Sequence, residues 1–583
     1  MLSRIAWLSF FVEFKAFSPQ CSSERKEVLN MNYKKYQKMY HPVPLENREW
    51  PAKEITHAPV WCSVDLRDGN QALYSPMTTD EKIEFFKFLV KIGFKEIEVG
   101  FPAASHTEFE FCRRLIDEDL IPDDVTIQVL TQARTHIIEK TIEALKGAKN
   151  AIVHLYNSTS TLQRDVVFNK GKDEIKQLAI EGAKLVKSLV SGQLDGNIRY
   201  EYSPESFTCT EPEYAAEVCN AVIDIFEPTP ENKVIINLPS TIEVATANVY
   251  ADQIEYMCKH LHNRENLVIS LHAHNDRGTG VASSELGLLA GADRVEGTIF
   301  GNGERTGNTD LITVALNMFC QGIDPELNLE NIDELIEVFE KYNKLPIHPR
   351  HPYAGSMAYV AFSGSHQDAI KKSMDRFGIS PDNKWANPYL TIDPADIGRK
   401  YEPILINSQS GKGGVSFIME NKYGYKMPKK MLVEFAAIIN DMSDEKQTVL
   451  TNHEIHVAFK DLYVNRVEPL KLKFYHSSED GERTHLTATI EMNGKVSSIE
   501  GRGNGPLDAI CKALRGYLGI SFEIASYDEH ALERASSSRA AAYISIHKEN
   551  DDKMYWSAGV DGNINTASIY ALISAVNRML ADK

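Results

Sequence analysis

No Cys-x-x-Cys pair occurs in the 583 residues, and the eight cysteines are scattered along the chain. Neither a zinc knuckle nor a disulfide framework is indicated, which fits a reducing, cytoplasmic setting. Long hydrophobic runs are absent too, so no stretch has the length of a membrane span and no membrane partner is expected. Basic residues are outnumbered, 63 Lys and Arg against 81 Asp and Glu, for a formal net charge of −18. That balance argues against nonspecific nucleic-acid binding, and an anionic ligand must find a local basic patch. What remains, 43% hydrophobic and 25% charged residues, is the composition of a globular protein. A chain of this length needs two or three cores.

The first residues are ambiguous. Ile5–Val12 is apolar behind a single Arg4, but it is short for a signal segment, is followed by Glu13 and Lys15, and lacks a small-residue cleavage site. Residues 1–32 read as a disordered N-terminal extension to a fold that begins near Tyr33, with an organelle-targeting role left open.

From about residue 58 to 320, β-branched runs alternate with helical stretches, the pattern of a parallel sheet. The runs are Val60–Leu66, Glu96–Gly100, Thr126–Leu130, Ala151–Tyr156, Ile198–Tyr202, Lys233–Leu238, Leu267–Leu271 and Arg294–Phe300. Eight units over about 260 residues predict a (β/α)8 TIM barrel, whose active site lies at the C-terminal ends of the strands. The polar residues cluster at those ends: Arg67 to Gln71, Asn157, Ser203 to Glu205, Pro239 to Thr241, and Gly301 to Arg305.

The seventh run ends in Leu271-His-Ala-His-Asn-Asp276. On a strand, residues two apart share a face, so His272 and His274 point together. Strand one, carrying Asp68, adjoins the closure of the ring near strand seven. Two imidazoles and a carboxylate suit a divalent metal; the bland alternative is a polar strand end whose histidines bond to their neighbours. A second His-x-His, His260 and His262, follows a helical stretch, where i,i+2 positions do not share a face. It reads as a solvated helix end.

Residues 326–435 read as a Pro-punctuated connector with short helices, containing Ser363-Gly-Ser-His-Gln-Asp368. Ser408-Gln-Ser-Gly-Lys-Gly-Gly414 lacks the strand and spacing of a phosphate loop and reads as a turn. Beyond it, alternating runs return at Leu470–Tyr475, Thr487–Met492 and Ala541–Ile546. Glycine turns at Glu500–Gly505 and Gly559–Gly562 each open an apolar helix. Two such passes predict a C-terminal α+β domain built from two related halves. A glycine turn before a helix can offer amides to a carboxylate, or can be only a connection.

Leu66-Arg-Asp-Gly-Asn-Gln71, Leu271-His-Ala-His-Asn-Asp276, Gly301-Asn-Gly-Glu-Arg-Thr-Gly-Asn308, Ser363-Gly-Ser-His-Gln-Asp-Ala369 and Gly503-Asn-Gly-Pro506 together resemble the 2-isopropylmalate synthase family. The resemblance runs from about residue 33 to the C-terminus. Single pieces are shared with citramalate and homocitrate synthases and with lyases of the same superfamily. It implies a catalytic barrel at 33–325, the connector at 326–435 and a regulatory domain at 436–583.

The activity implied is a Claisen-type condensation of acetyl-CoA with 2-oxoisovalerate, the first committed step of leucine biosynthesis. By similarity Asp68, His272, His274 and Asn308 would ligate Mg, Mn or Zn, and Arg67 would stabilise the developing alkoxide, its alternative being a salt bridge to Glu98. His366, with Glu205 and Tyr389, would serve in removing the methyl proton. Since His366 lies outside the barrel, it is expected from the partner of a homodimer; Tyr401 competes for the tyrosine role. Leu130, His154, Ser203, Asn237, Pro239 and Thr241 would line the acceptor pocket. Gly503, Asn504 and Asp508 are the expected contacts of leucine as feedback effector. The competing readings are a metal-dependent lyase on the same barrel and a catalytically idle amino-acid sensor.

Overall fold

The protein is described by a computed structural model covering residues 33–377, 384–399, 412–446, 449–481, 483–532, 538–549 and 551–582. The expected extension at 1–32, Tyr401 and most of the Ser408–Gly414 segment lie outside the described residues.

Eight parallel strands close into a barrel in sequence order. They are β1 (Val60–Ser63), β2 (Glu96–Gly100), β3 (Thr126–Gln132), β4 (Asn150–Ser158), β5 (Asn197–Glu205), β6 (Val234–Ser240), β7 (Leu267–Ala273) and β8 (Arg294–Gly297). Between and after them run α1 (Thr79–Ile92), α2 (His106–Asp117), α3 (Thr135–Ala144), α4 (Lys172–Gln193), α5 (Pro212–Phe226), α6 (Ala247–His260), α7 (Gly280–Leu289) and α8 (Leu311–Phe319). β2 and β6 are buried along their whole length, because one face meets the helices and the other fills the barrel. Helix boundaries follow local chemistry. Thr78 and Glu81 form a capping box that starts α1, and Gly93, at φ +119°, ends it.

Two strands are shorter than the sequence suggests. β1 stops at Ser63, and Asp65–Gly69 forms a wide helical turn. The buried Asp65 carboxylate holds it there, accepting from Ser63 Oγ at 2.8 Å and from the Ile299 amide at 3.1 Å; burial raises its pKa to about 7. β8 stops at Gly297, since Phe300 turns left-handed at φ +55°. These two turns face each other across the seam where β8 pairs with β1, Cys62 standing opposite Glu296.

The connector holds α9 (Ile332–Asn343), α10 (Gly364–Phe377), α11 (Lys412–Tyr423) and α12 (Lys429–Lys446), followed by α13 (Asn452–Tyr463). Residues 412–414, read as a turn, instead open α11. Ile332, Phe339, Tyr359, Ile370, Leu390 and Ile397 share the barrel's apolar cluster, and the Tyr342 ring packs edge-on to Phe85 of α1 at 5.8 Å. Helices α11 to α13 form a separate cluster with Tyr543 and Trp556.

The C-terminal region has two antiparallel three-stranded sheets. β9 (Leu470–Asp480), β10 (Arg483–Met492) and β11 (Lys495–Gly503) precede α14 (Pro506–Leu518). β12 (Phe522–Ala531), β13 (Ala540–Lys548) and β14 (Tyr555–Asp561) precede α15 (Ile564–Ala581). The two halves are related in detail. A Cβ on Gly501 would lie 2.1 Å from the Ala509 carbonyl, and one on Gly559 would lie 1.9 Å from that of Ala567. In each half a glycine of the third strand lets the following helix settle on its sheet. Gly501 and Gly559 therefore belong to strands, where the sequence reading placed turns. No helix among the described residues is long and apolar enough to cross a membrane.

Candidate active site

At the C-terminal end of the barrel Asp68, His272 and His274 come together, all buried, with their ligand atoms within 4.8 Å of one another. Asp68 Oδ2 lies 3.6 Å from Nε2 of each histidine. It has no hydrogen-bond partner, nor has Asn308 Oδ1, although Asn308 pairs with His274 in a backbone bridge. Buried acceptors are seldom left unmatched, and Asp68 Oδ2 stands between two imidazoles, which marks a place for a cation. Asn308 is aimed by its neighbours: its Nδ2 donates to the Asn302 carbonyl at 3.0 Å. It also needs Gly303, because a Cβ there would sit 2.1 Å from Asn308 Nδ2.

The three groups set one another's protonation. Burial works against charging His272, but the Asp68 and Glu296 carboxylates raise its pKa to about 9. Burial and the neighbouring His272 hold His274 down at about 4, leaving it a neutral ligand. Against the cost of burial, Arg67 and His272 keep the Asp68 carboxyl well below its ordinary range.

A cavity of about 380 Å³ opens beside the triad. All six expected pocket residues, Leu130, His154, Ser203, Asn237, Pro239 and Thr241, line it, with Arg67 and Glu205. Arg67 forms the salt bridge weighed as its alternative, Nε to Glu98 at 2.5 Å, and also contacts Asp68 through Nη1 at 3.0 Å. The bridge thus holds the guanidinium at the cavity wall. His154 is clamped between Glu98 at 2.9 Å and Ser203 Oγ at 2.7 Å, and Asn237 Nδ2 donates to the same Ser203 at 3.0 Å. Glu205 accepts from Ser158.

Sequence reasoning missed Phe101 and Tyr156 of the lining. Phe101 directly follows β2 and Tyr156 ends the run read from the sequence, so the strand-end rule could have found both, although β4 itself continues to Ser158. The buried residues below the cavity, Arg294 and Glu296, were also passed over, though their i,i+2 spacing on β8 sends both inward.

His366 and Tyr389 do not line this cavity. They stack on each other, ring centroids 3.9 Å apart, beside a second cavity of about 340 Å³ that includes Tyr359 and Ser363. His366 is exposed in the first turn of α10. In the C-terminal region Gly503 ends β11, and Asp508 Oδ2 accepts from the Asn504 amide at 3.0 Å and from Lys512 at 2.7 Å. The three expected effector residues are neighbours, and Asp508 already braces the turn.

The HMGL-like family matches residues 58–338, the alpha-isopropylmalate synthase post-catalytic domain 356–420, and the LeuA allosteric (dimerisation) domain 449–580. Together with the barrel and its buried acid–imidazole triad, this succession defines an acyltransferase that carries an allosteric-type domain. The chain is 56% identical over 559 residues to the 2-isopropylmalate synthase of Clostridium acetobutylicum, spanning 94% of this chain and 99% of that one. It is 53% identical to those of Acetoanaerobium sticklandii and Helicobacter hepaticus, spanning 94% of this chain in both cases and 97% and 100% of theirs. The chain belongs to the 2-isopropylmalate synthase family.

Proposed function

We propose that this chain condenses acetyl-CoA and 2-oxoisovalerate with water to give 2-isopropylmalate and CoA, and that leucine restrains it. One observation carries the reading: a single cavity gathers the triad, Arg67, Glu205 and the six acceptor-pocket residues. Asp68 Oδ2, His272 Nε2, His274 Nε2 and Asn308 Oδ1 would hold Mg, Mn or Zn, which when bound supplies Lewis-acid polarisation of the ketone. The chain's own groups do the rest. Thr241 meets the acceptor carboxylate, and Leu130 gives the isopropyl group an apolar wall. Arg67, fixed by Glu98, faces the oxygen that becomes negative on attack.

The methyl proton of acetyl-CoA goes to His366, an imidazole suited to base catalysis near neutrality, with Glu205 and Tyr389 orienting it. His366 and Tyr389 reach the cavity from the second subunit of a homodimer. In support, they stand outside this chain's cavity, and Leu162, Val166 and Val167 lie exposed on the short helical segment after β4, at the end of the barrel where the cavity opens. The boundaries 33–325, 326–435 and 436–583 would then separate catalysis, completion of the partner's site and regulation. Leucine would bind at Gly503, Asn504 and Asp508 and favour a slow state. The free thiols of all seven described cysteines suit a cytoplasmic enzyme.

The test is thiol release from acetyl-CoA with a panel of 2-oxo acids, with and without metal and leucine. 2-Oxoisovalerate should be preferred over pyruvate and 2-oxobutanoate. Absence of release with every acceptor refutes the reading, and indifference to leucine refutes its regulatory part.

A further inference from the structure

Below the cavity lies a buried polar layer that the proposed chemistry does not use. Its centre is Glu296, which pairs in register with His272 on one side and Cys62 on the other. Both its oxygens are doubly engaged. Oε2 accepts from His272 Nδ1 at 2.7 Å and from Asn237 Nδ2 at 3.2 Å. Oε1 accepts from Arg294 Nη1 at 2.7 Å and from Gln128 Nε2 at 2.9 Å. Arg294, wholly buried, is pinned in turn by Glu96 at 2.6 Å, Ser270 at 2.8 Å and the Gln128 carbonyl at 2.6 Å.

We infer that Glu296 is the positioning residue of the metal centre and that Arg294 is its anchor. Because Glu296 accepts a hydrogen bond from His272 Nδ1–H, the lone pair offered to an ion is on Nε2, the atom that faces Asp68. Four donors on two oxygens leave the carboxylate no alternative rotation, so the imidazole plane is fixed from below. Through Asn237 the same carboxylate touches the acceptor pocket, tying the ligand's orientation to that wall. An amide cannot replace it, since its NH₂ would face two donors whichever way it turned. The inference rests on the metal reading above.

Glu96 supplies a matched control. It too bonds the Arg294 guanidinium from a buried position, but it does not touch His272. The full chain is stripped with a chelator and titrated with Mn²⁺ or Zn²⁺ against a chromophoric competitor, with a thermal melt in parallel. Glu296→Gln should weaken metal binding about 10–100-fold, while Glu96→Gln, with a comparable loss of melting temperature, should stay within about twofold. Parent-like affinity in folded Glu296→Gln overturns the inference, as does equal weakening in Glu96→Gln. If Glu296→Gln fails to fold, Glu296→Asp decides by the same criterion, since it keeps a negative charge in the layer and withdraws the carboxylate from His272. Metal binding by the parent chain separates this failure from that of the metal reading: a parent that binds no ion refutes both.

Discussion

Two His-x-His segments close together in this chain have opposite fates. His260 ends α6, bonds the Tyr256 carbonyl at 2.7 Å through Nδ1 and stacks on that ring, while His262 pairs with Asp224 at the surface. His272 and His274 instead turn both Nε2 atoms toward one carboxylate oxygen. The residue types and spacing are the same; only the backbone period differs, and with it whether two side chains can meet. A candidate metal motif therefore carries meaning only together with its secondary structure.

The comparison breaks first at the buried pair. His272→Ala or His274→Ala should weaken metal binding by more than the roughly 100-fold that marks loss of an outer partner and take thiol release to background, read by metal content and CoA assay. Next, His366→Ala should lower kcat about 10²–10⁴-fold with metal affinity intact. Mixed with Asp68→Asn subunits, it should regain activity, because hybrid dimers hold one complete site. Leu130→Ala should shift kcat/KM from 2-oxoisovalerate toward a bulkier 2-oxo acid by about tenfold, the low end of what one methylene is worth in an apolar pocket. Asp508→Ala should raise the leucine concentration for half-inhibition about tenfold, or ~1.4 kcal/mol. At the small end, His260→Ala and His262→Ala should leave metal binding unchanged and stability within about 0.5 kcal/mol. A metal defect there would erase the contrast.

The barrel was legible because each strand is a short apolar run bounded by turns, and because strand ends concentrate polar residues. The C-terminal sheets were half hidden. β10 alternates, with Leu486, Ala488 and Ile490 inward, whereas in β11 only Ile499 and Gly503 are buried, so no apolar period announces it. In β12 only Phe522 is buried. Within the site, residues after strand ends could be found by rule. For Glu296 the strand period gives the inward direction but not the role, because its partners Gln128, Asn237 and His272 come from three other strands.

The seam between β8 and β1 has a consequence during synthesis. Asp68 leaves the ribosome early, the two histidines late, and Asn308 only after the final strand. A chain halted before residue 294 holds Asp68, His272 and His274 but not the last strand that closes the ring between them, so an ion at the proposed site would load after closure and act as a clasp on the finished barrel. At a hundredfold excess over its dissociation constant such a clasp would stabilise the closed ring by about 2.7 kcal/mol, and the loaded barrel would be harder to reopen than the empty one.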